Sequence, residues 1–116
     1  MYHLFKQGTA LLEAGHFNAA TVPLSKAARL EPEKTSIREA LGRAYFRSSQ
    51  YERARAEFEA VVERAPTNDY ALFCLGRALL ALGRAAEARK PLTLAVGLRP
   101  ERHDYRMYRE RAAQAA

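Results

Sequence analysis

Apolar side chains return along this chain every three or four residues, and that rhythm breaks and restarts at regular intervals. Ile37, Leu41, Ala44, Tyr45 and Ser48 share one helical stripe. After Ser48-Ser49-Gln50 a second stripe runs through Tyr51, Ala54, Phe58, Val61 and Val62. Positions at i, i+3, i+4 and i+7 mark amphipathic helices. There is no strand-like alternation and no low-complexity stretch. The spacing predicts helices over 2–14, 17–31, 36–48, 51–65, 69–82, 85–98 and 102–114.

The pattern also repeats on a longer scale. Gly8, Gly42 and Gly76 fall 34 residues apart, as do Pro32, Pro66 and Pro100. Ala10, Ala44 and Ala78 keep the same step, and so do Ala20, Ala54 and Ala88. A fixed period of this length means one small unit built several times and stacked. The units are 1–34, 35–68 and 69–102, with a remainder of 103–116, in a single domain covering 1–116. Gly15 and Gly83 suit helix ends that need φ > 0. The prolines fall between units, where they bias the preceding residue out of the helix. Asn68 is a suitable N-cap. Gly8, Gly42 and Gly76 lie mid-helix, where Gly costs about 1 kcal/mol relative to Ala. That cost predicts close approach of a partner helix, with Ala20, Ala54 and Ala88 opposite and Leu24, Phe58 and Leu92 beside them. Pro23 and Pro91 lie inside second helices and predict a local kink.

These positions together resemble the tetratricopeptide repeat (TPR) family. The matching residues are Leu4, Gly8, Gly15, Phe17, Ala20, Leu24, Ala27 and Pro32 in the first unit. In the second they are Leu41-Gly42, Tyr45, Tyr51, Ala54, Phe58 and Pro66, and in the third Leu72, Leu75-Gly76, Gly83, Ala88, Leu92, Ala95 and Pro100. The resemblance covers 1–102. Gln7 and Arg38 depart from it, standing where the family prefers apolar residues. Residues 103–116 do not continue the repeat: Glu110 falls where glycine should be, and Arg106 and Arg109 fall on core positions. They resemble the solvating helix that closes such arrays, whose terminal unit otherwise exposes an apolar face. The resemblance implies an all-α fold, a right-handed α-α superhelix (TPR solenoid) of three helix-turn-helix repeats with a C-terminal capping helix. It further implies a non-enzymatic interaction module, with first helices lining a concave side that receives a peptide or helix of another protein.

On each first helix one stripe is left over after packing. It carries aromatic residues (Tyr2, Phe5, Phe46, Tyr70, Phe73, Tyr108) and cations (Lys6, Arg43, Arg47, Arg77, Arg111). Rings supply buried area, and Arg grips a carboxylate through two parallel hydrogen bonds. The expected partner therefore combines acidic and apolar side chains. The expected contacts are Tyr2, Phe5, Lys6, Thr9, Arg43, Arg47, Tyr70, Phe73 and Arg77, with Tyr108 and Arg111 closing one end. Two plainer roles stay open: Leu12, Phe46 and Leu80 also suit packing between adjacent first helices, and the arginines also suit pairing with Glu13 or Glu39. Some members of the family clamp the acidic C-termini of heat-shock chaperones with Lys and Asn. The matching positions here hold Phe5, Thr9, Ala40, Tyr70 and Cys74, which predicts no such clamp.

Composition adds limits rather than a target. The 116 residues are 48% hydrophobic and 28% charged, as in a globular chain, with a net charge of +6 that favours acidic partners. The Arg run at 99, 102, 106, 109 and 111 is broken by Glu101, Asp104 and Glu110, which argues against nucleic acid. His3, His16 and His103 lack ligand spacing, so no metal or other cofactor is expected. Cys74, the sole cysteine, reads as a buried inert thiol. There is no phosphate loop and no nucleophile elbow. No apolar run is long enough to span a bilayer and no secretory signal is visible, so the expected location is cytoplasmic unless an address lies outside this chain. Two alternatives stand beside the peptide-binding reading: self-association into a homo-oligomer, and a regulatory segment of a larger protein.

Overall fold

The computed structural model describes residues 2–115, which form seven helices and no strand. The helices are α1 (Tyr2–Glu13), α2 (Phe17–Leu30), α3 (Thr35–Arg47), α4 (Tyr51–Arg64), α5 (Asp69–Ala81), α6 (Ala85–Leu98) and α7 (His103–Ala115). Each end falls within one residue of the sequence expectation. Every helix packs on its chain neighbours, and first helices also meet across units, α1 on α3 and α5 on α7. The result is an elongated stack, 41 × 24 × 22 Å.

The turn within each hairpin is one motif used three times. The N–H groups of Gly15 and His16 donate to the carbonyls of Leu12 and Leu11, at 3.0 and 2.9 Å. Ser49 and Gln50 repeat this on Phe46 and Tyr45, and Gly83 and Arg84 on Leu80 and Leu79. This is the Schellman closure, which needs a left-handed residue after the helix. Gly15 and Gly83 take φ of 84° and 76°; in the middle unit Ser49 takes φ 64° despite its side chain. Between units the chain straightens before each proline, at Glu31, Ala65 and Arg99. Asn68 caps α5, its side-chain oxygen accepting from the Ala71 N–H at 3.1 Å.

The glycines mark close helix approach, and of the expected neighbours it is Leu24, Phe58 and Leu92 that come nearest, ahead of the alanines. A Cβ on Gly8 would lie 2.4 Å from Leu24 Cγ, one on Gly42 2.8 Å from Phe58 Cζ, and one on Gly76 2.4 Å from Leu92 Cγ. So the large residue lies directly over each glycine. Ala20, Ala54 and Ala88 are fully buried, and the atoms nearest each such Cβ belong to the larger side chain. Each large residue is sealed from water, which contributes roughly 1.5–3 kcal/mol per side chain and offsets the glycine. Pro23 and Pro91 do not end α2 or α6; both helices continue through them, with the prolines buried.

Two apolar clusters form the interior. One gathers α2 and α3 around Leu24 and Ile37; the other joins α4 through α7 around Phe58, Leu72, Leu92 and Tyr105. Tyr45 packs against both. The departures from family pattern cause no packing conflict. Gln7 is exposed, and half-buried Arg38 reaches Glu57 at 3.0 Å and the Pro32 carbonyl at 2.9 Å. Helix α7 keeps Ala112 buried, one further step along the series Ala10, Ala44, Ala78. Glu110, at the position where a further repeat would carry glycine, is exposed. Tyr105 is fully buried and its hydroxyl donates to Asp69 Oδ2 at 2.7 Å, fixing α7 to the start of α5.

Candidate functional site

First helices bring their leftover stripes to one wall, and a cleft of about 280 Å³ opens in it. From α1 it takes Thr9, Leu12 and Glu13; from α3 Arg43, Phe46 and Arg47; from α5 Tyr70, Cys74 and Arg77. Phe17, at the start of α2, and Phe58, on α4, complete the lining. A neighbouring cleft of about 300 Å³ is lined by Phe46, Arg77, Leu80, Ala81, Tyr108, Arg111 and Ala115. Arg77 and Phe46 belong to both, so the two form one groove with Arg77 at its middle.

Arg47, Arg77 and Arg111 lie over rings rather than beside carboxylates. The Arg77 guanidinium sits 4.6 Å from the Phe46 ring centre, 5.2 Å from Tyr108 and 5.5 Å from Phe73. Arg47 lies 4.3 Å over Phe17, and Arg111 4.7 Å over Tyr108. Ring faces attract a cation by about 0.5–2 kcal/mol each, more as water is excluded. Among the described residues, none of Lys6, Arg43, Arg47, Arg77 and Arg111 forms an ion pair, although Arg38, Arg55, Arg64, Arg84, Arg99 and Arg102 elsewhere do. Pairing with Glu13 or Glu39 therefore does not occur; Glu39 accepts from Asn68 Nδ2 instead, at 2.8 Å. Arg77 Nε is buried with no hydrogen-bond partner. A buried donor left unmade costs about 1–3 kcal/mol.

Burial pushes the Cys74 thiol and the Tyr70 phenol each up to about 12, against a partial opposing pull from Arg43 and Arg77. Both groups are neutral at ordinary pH, and the positive charge of the wall is not cancelled by a thiolate or phenolate. Cys74 is 5% exposed and carries no nucleophilic character.

The expected contacts divide into three groups. Thr9, Arg43, Arg47, Tyr70 and Arg77 meet in the main cleft, and Tyr108 and Arg111 in its neighbour. Tyr2 and Lys6 are exposed on α1 but line neither cleft, and Phe5 is half-buried against the α2–α3 cluster. Phe73 is a correction: it is 4% exposed, stacked against Tyr105 at 4.5 Å and Tyr108 at 5.3 Å, so α7 covers it and it serves as core. Thr9 spends its hydroxyl proton inside its own helix, on the Phe5 or Lys6 carbonyl. Phe17 was not anticipated as a lining residue. Its signal was its place just after the helix-breaking Gly15, where the side chain turns back toward the first helices.

Among the described residues, no three His, Cys, Asp or Glu side chains gather to hold a metal, and no helix is long and apolar enough to cross a membrane.

A family model described as Tetratricopeptide repeat matches residues 5–69 and again 39–103. Among solved structures, the first TPR of Spaghetti (RPAP3) bound to the HSP90 peptide SRMEEVD superposes with a TM-score of 0.91 at 21% identity, over 98% of this chain and 90% of that one. The first TPR domain of human RPAP3, solved by NMR, gives 0.86 at 21% over 97% and 88%. MamA from AMB-1 gives 0.86 at 27% over 96% of this chain, which spans 61% of that protein's length. No curated protein matches the chain.

Proposed function

Because the chain belongs to the tetratricopeptide repeat family, generally a non-enzymatic protein-interaction fold, we propose that it is a binding module holding an acidic and partly apolar segment of another protein in its concave groove. The observation that carries this reading is a set of unpaired arginines along one wall: Arg47, Arg77 and Arg111 held over rings, and Arg43 lining the cleft beside them. A guanidinium fixed over an aromatic face has already lost much of its side-chain freedom, so pairing with a carboxylate costs less ordering. The rings beside it offer apolar area. The RPAP3 domain was solved with a peptide containing two glutamates and a terminal aspartate. We assign this chain a different acidic segment, since the places of the chaperone clamp hold Phe5, Thr9, Ala40, Tyr70 and Cys74. A foreign partner is favoured over a second copy because the chain carries +6 overall and like-charged walls repel.

The test is fluorescence anisotropy with a labelled peptide of alternating leucine and glutamate, titrated with the wild type and with Arg43→Ala/Arg47→Ala. Both arginines are exposed, so the variant is expected to keep its helical circular dichroism. The expected result is at least about tenfold weaker binding by the variant, and weakening of the wild type by added salt. Equal affinity of the two proteins rejects the groove.

A further inference from the structure

Three arginines line the main cleft together. Arg43 and Arg47 stand four residues apart on α3, both exposed, and half-buried Arg77 joins them from α5. Side chains four apart on a helix are neighbours, and like charges there repel and weaken the helix. Elsewhere the chain offsets such charge by pairing: Arg38 with Glu57, Arg55 with Glu52 and Glu59, Arg84 with Glu52 and Glu87. Here it does not. Glu13 is the sole carboxylate lining the cleft and, among the described residues, forms no ion pair. Glu39, on the same helix as Arg43 and Arg47, is held by Asn68. The cleft's other titratable groups, the Tyr70 phenol and the Cys74 thiol, are pushed up to about 12 by burial and supply no negative charge. Phe17 from α2 and Phe58 from α4 bring none either. The lining therefore holds three cations against one anion, an uncompensated surplus of two.

That surplus discriminates between anionic groups. A carboxylate carries one charge on two acceptor oxygens, and offsets half of it. A phosphate monoester carries about −1.5 to −2 at neutral pH and presents three acceptor oxygens, so it balances the whole. Clustered arginines are a recurring means of recognising phosphorylated side chains. The neighbouring cleft is different. Beyond the shared Arg77 it adds a single cation, Arg111, which one carboxylate neutralises.

Resting on the groove reading above, we infer that the main cleft receives a phosphorylated side chain of the partner segment, its phosphate held by Arg43, Arg47 and Arg77. Occupation of the groove is then governed by phosphorylation of the partner.

The test uses the labelled leucine–glutamate peptide with its central glutamate kept, or replaced by phosphoserine or by serine. Titrated with the full chain at pH 7.5, the phosphoserine peptide is expected to bind at least about tenfold more tightly than the glutamate peptide, with serine weakest. The second phosphate pKa lies near 6, so at pH 5.5 about a quarter of the phosphate stays doubly charged. Arginine keeps its charge throughout, and the advantage over glutamate is expected to fall about fourfold. Arg47→Gln is expected to cut the advantage severalfold, whereas Arg111→Gln, in the neighbouring cleft, should leave it unchanged. Both residues are exposed, and circular dichroism checks that both variants stay folded. Equal affinity for phosphoserine and glutamate, or an advantage untouched by acid or by Arg47→Gln, overturns the phosphate site while leaving the groove in place. Displacement of the phosphopeptide by inorganic phosphate as effectively as by unlabelled phosphopeptide overturns a phosphorylated partner in favour of the free ion. Failure of every peptide to bind overturns the groove and this inference with it.

Discussion

Gly76→Ala isolates the device that lets the hairpins close. The new methyl would lie 2.4 Å from Leu92 Cγ and 2.5 Å from Cδ2. Leu92 is fully buried, and Cγ is its branch point rather than a free end, so relief requires α6 to move. Helix propensity favours Ala by about 1 kcal/mol. Overpacking of a filled core costs about 1–3 kcal/mol, and the short contact places this site toward the upper part of that range. The net expectation is a loss of about 1–2 kcal/mol. Gly97→Ala is the internal control. Gly97 also lies in α6, but its Cβ meets nothing within 4 Å, so only the propensity gain remains, up to about 1 kcal/mol. Urea denaturation followed by circular dichroism separates the two substitutions, which should move stability in opposite directions and differ by about 1–3 kcal/mol. Leu92→Ala costs about 2–5 kcal/mol by itself. In that background Gly76→Ala should turn favourable, because its obstacle is gone. Equal stability of Gly76→Ala and Gly97→Ala would refute the reasoning, whatever the double variant does.

Ser49→Gly should stabilise the domain by about 1 kcal/mol in the same assay, since φ 64° is strained for serine and free for glycine; a loss contradicts it. Tyr105→Phe removes the bond to Asp69 and should cost about 1.5–3 kcal/mol at neutral pH, seen as earlier melting. Burial and Asp69 raise the Tyr105 pKa, so the unfolded phenol ionises first, near its usual value of about 10. Its contribution is complete below that pH and fades as pH climbs toward the folded value, so the alkaline loss of stability should be smaller in Tyr105→Phe. Cys74, pushed up to about 12 and buried, should react with a disulfide reagent at pH 8 only slowly until urea is added.

The helices were legible because their stripes follow from backbone geometry and recur three times. The Schellman closures were legible at Gly15 and Gly83 because glycine signals left-handed φ, whereas Ser49 carries no such signal and only the period points to it. The sequence named both the alanines and the larger side chains around each glycine, but not which of them comes nearest. Register between two helices depends on side-chain direction, and it set Leu24, Phe58 and Leu92, not the alanines, over the gap. Phe73 shares a stripe with true groove residues; only the placement of Tyr105 and Tyr108 on α7 decides that it is core. The sequence likewise allowed Arg43 or Arg77 to pair with Glu39, and the diversion of Glu39 to Asn68 is a matter of three-dimensional reach.

The most direct measurement is a map of amide chemical-shift changes in the labelled chain on adding the peptide of alternating leucine and glutamate. The account predicts shifts along the inner faces of α1, α3, α5 and α7, largest around Arg43, Arg47, Arg77 and Arg111, with α2, α4 and α6 quiet beyond Phe17. Shifts concentrated on the outer helices, or none at saturating peptide, contradict it.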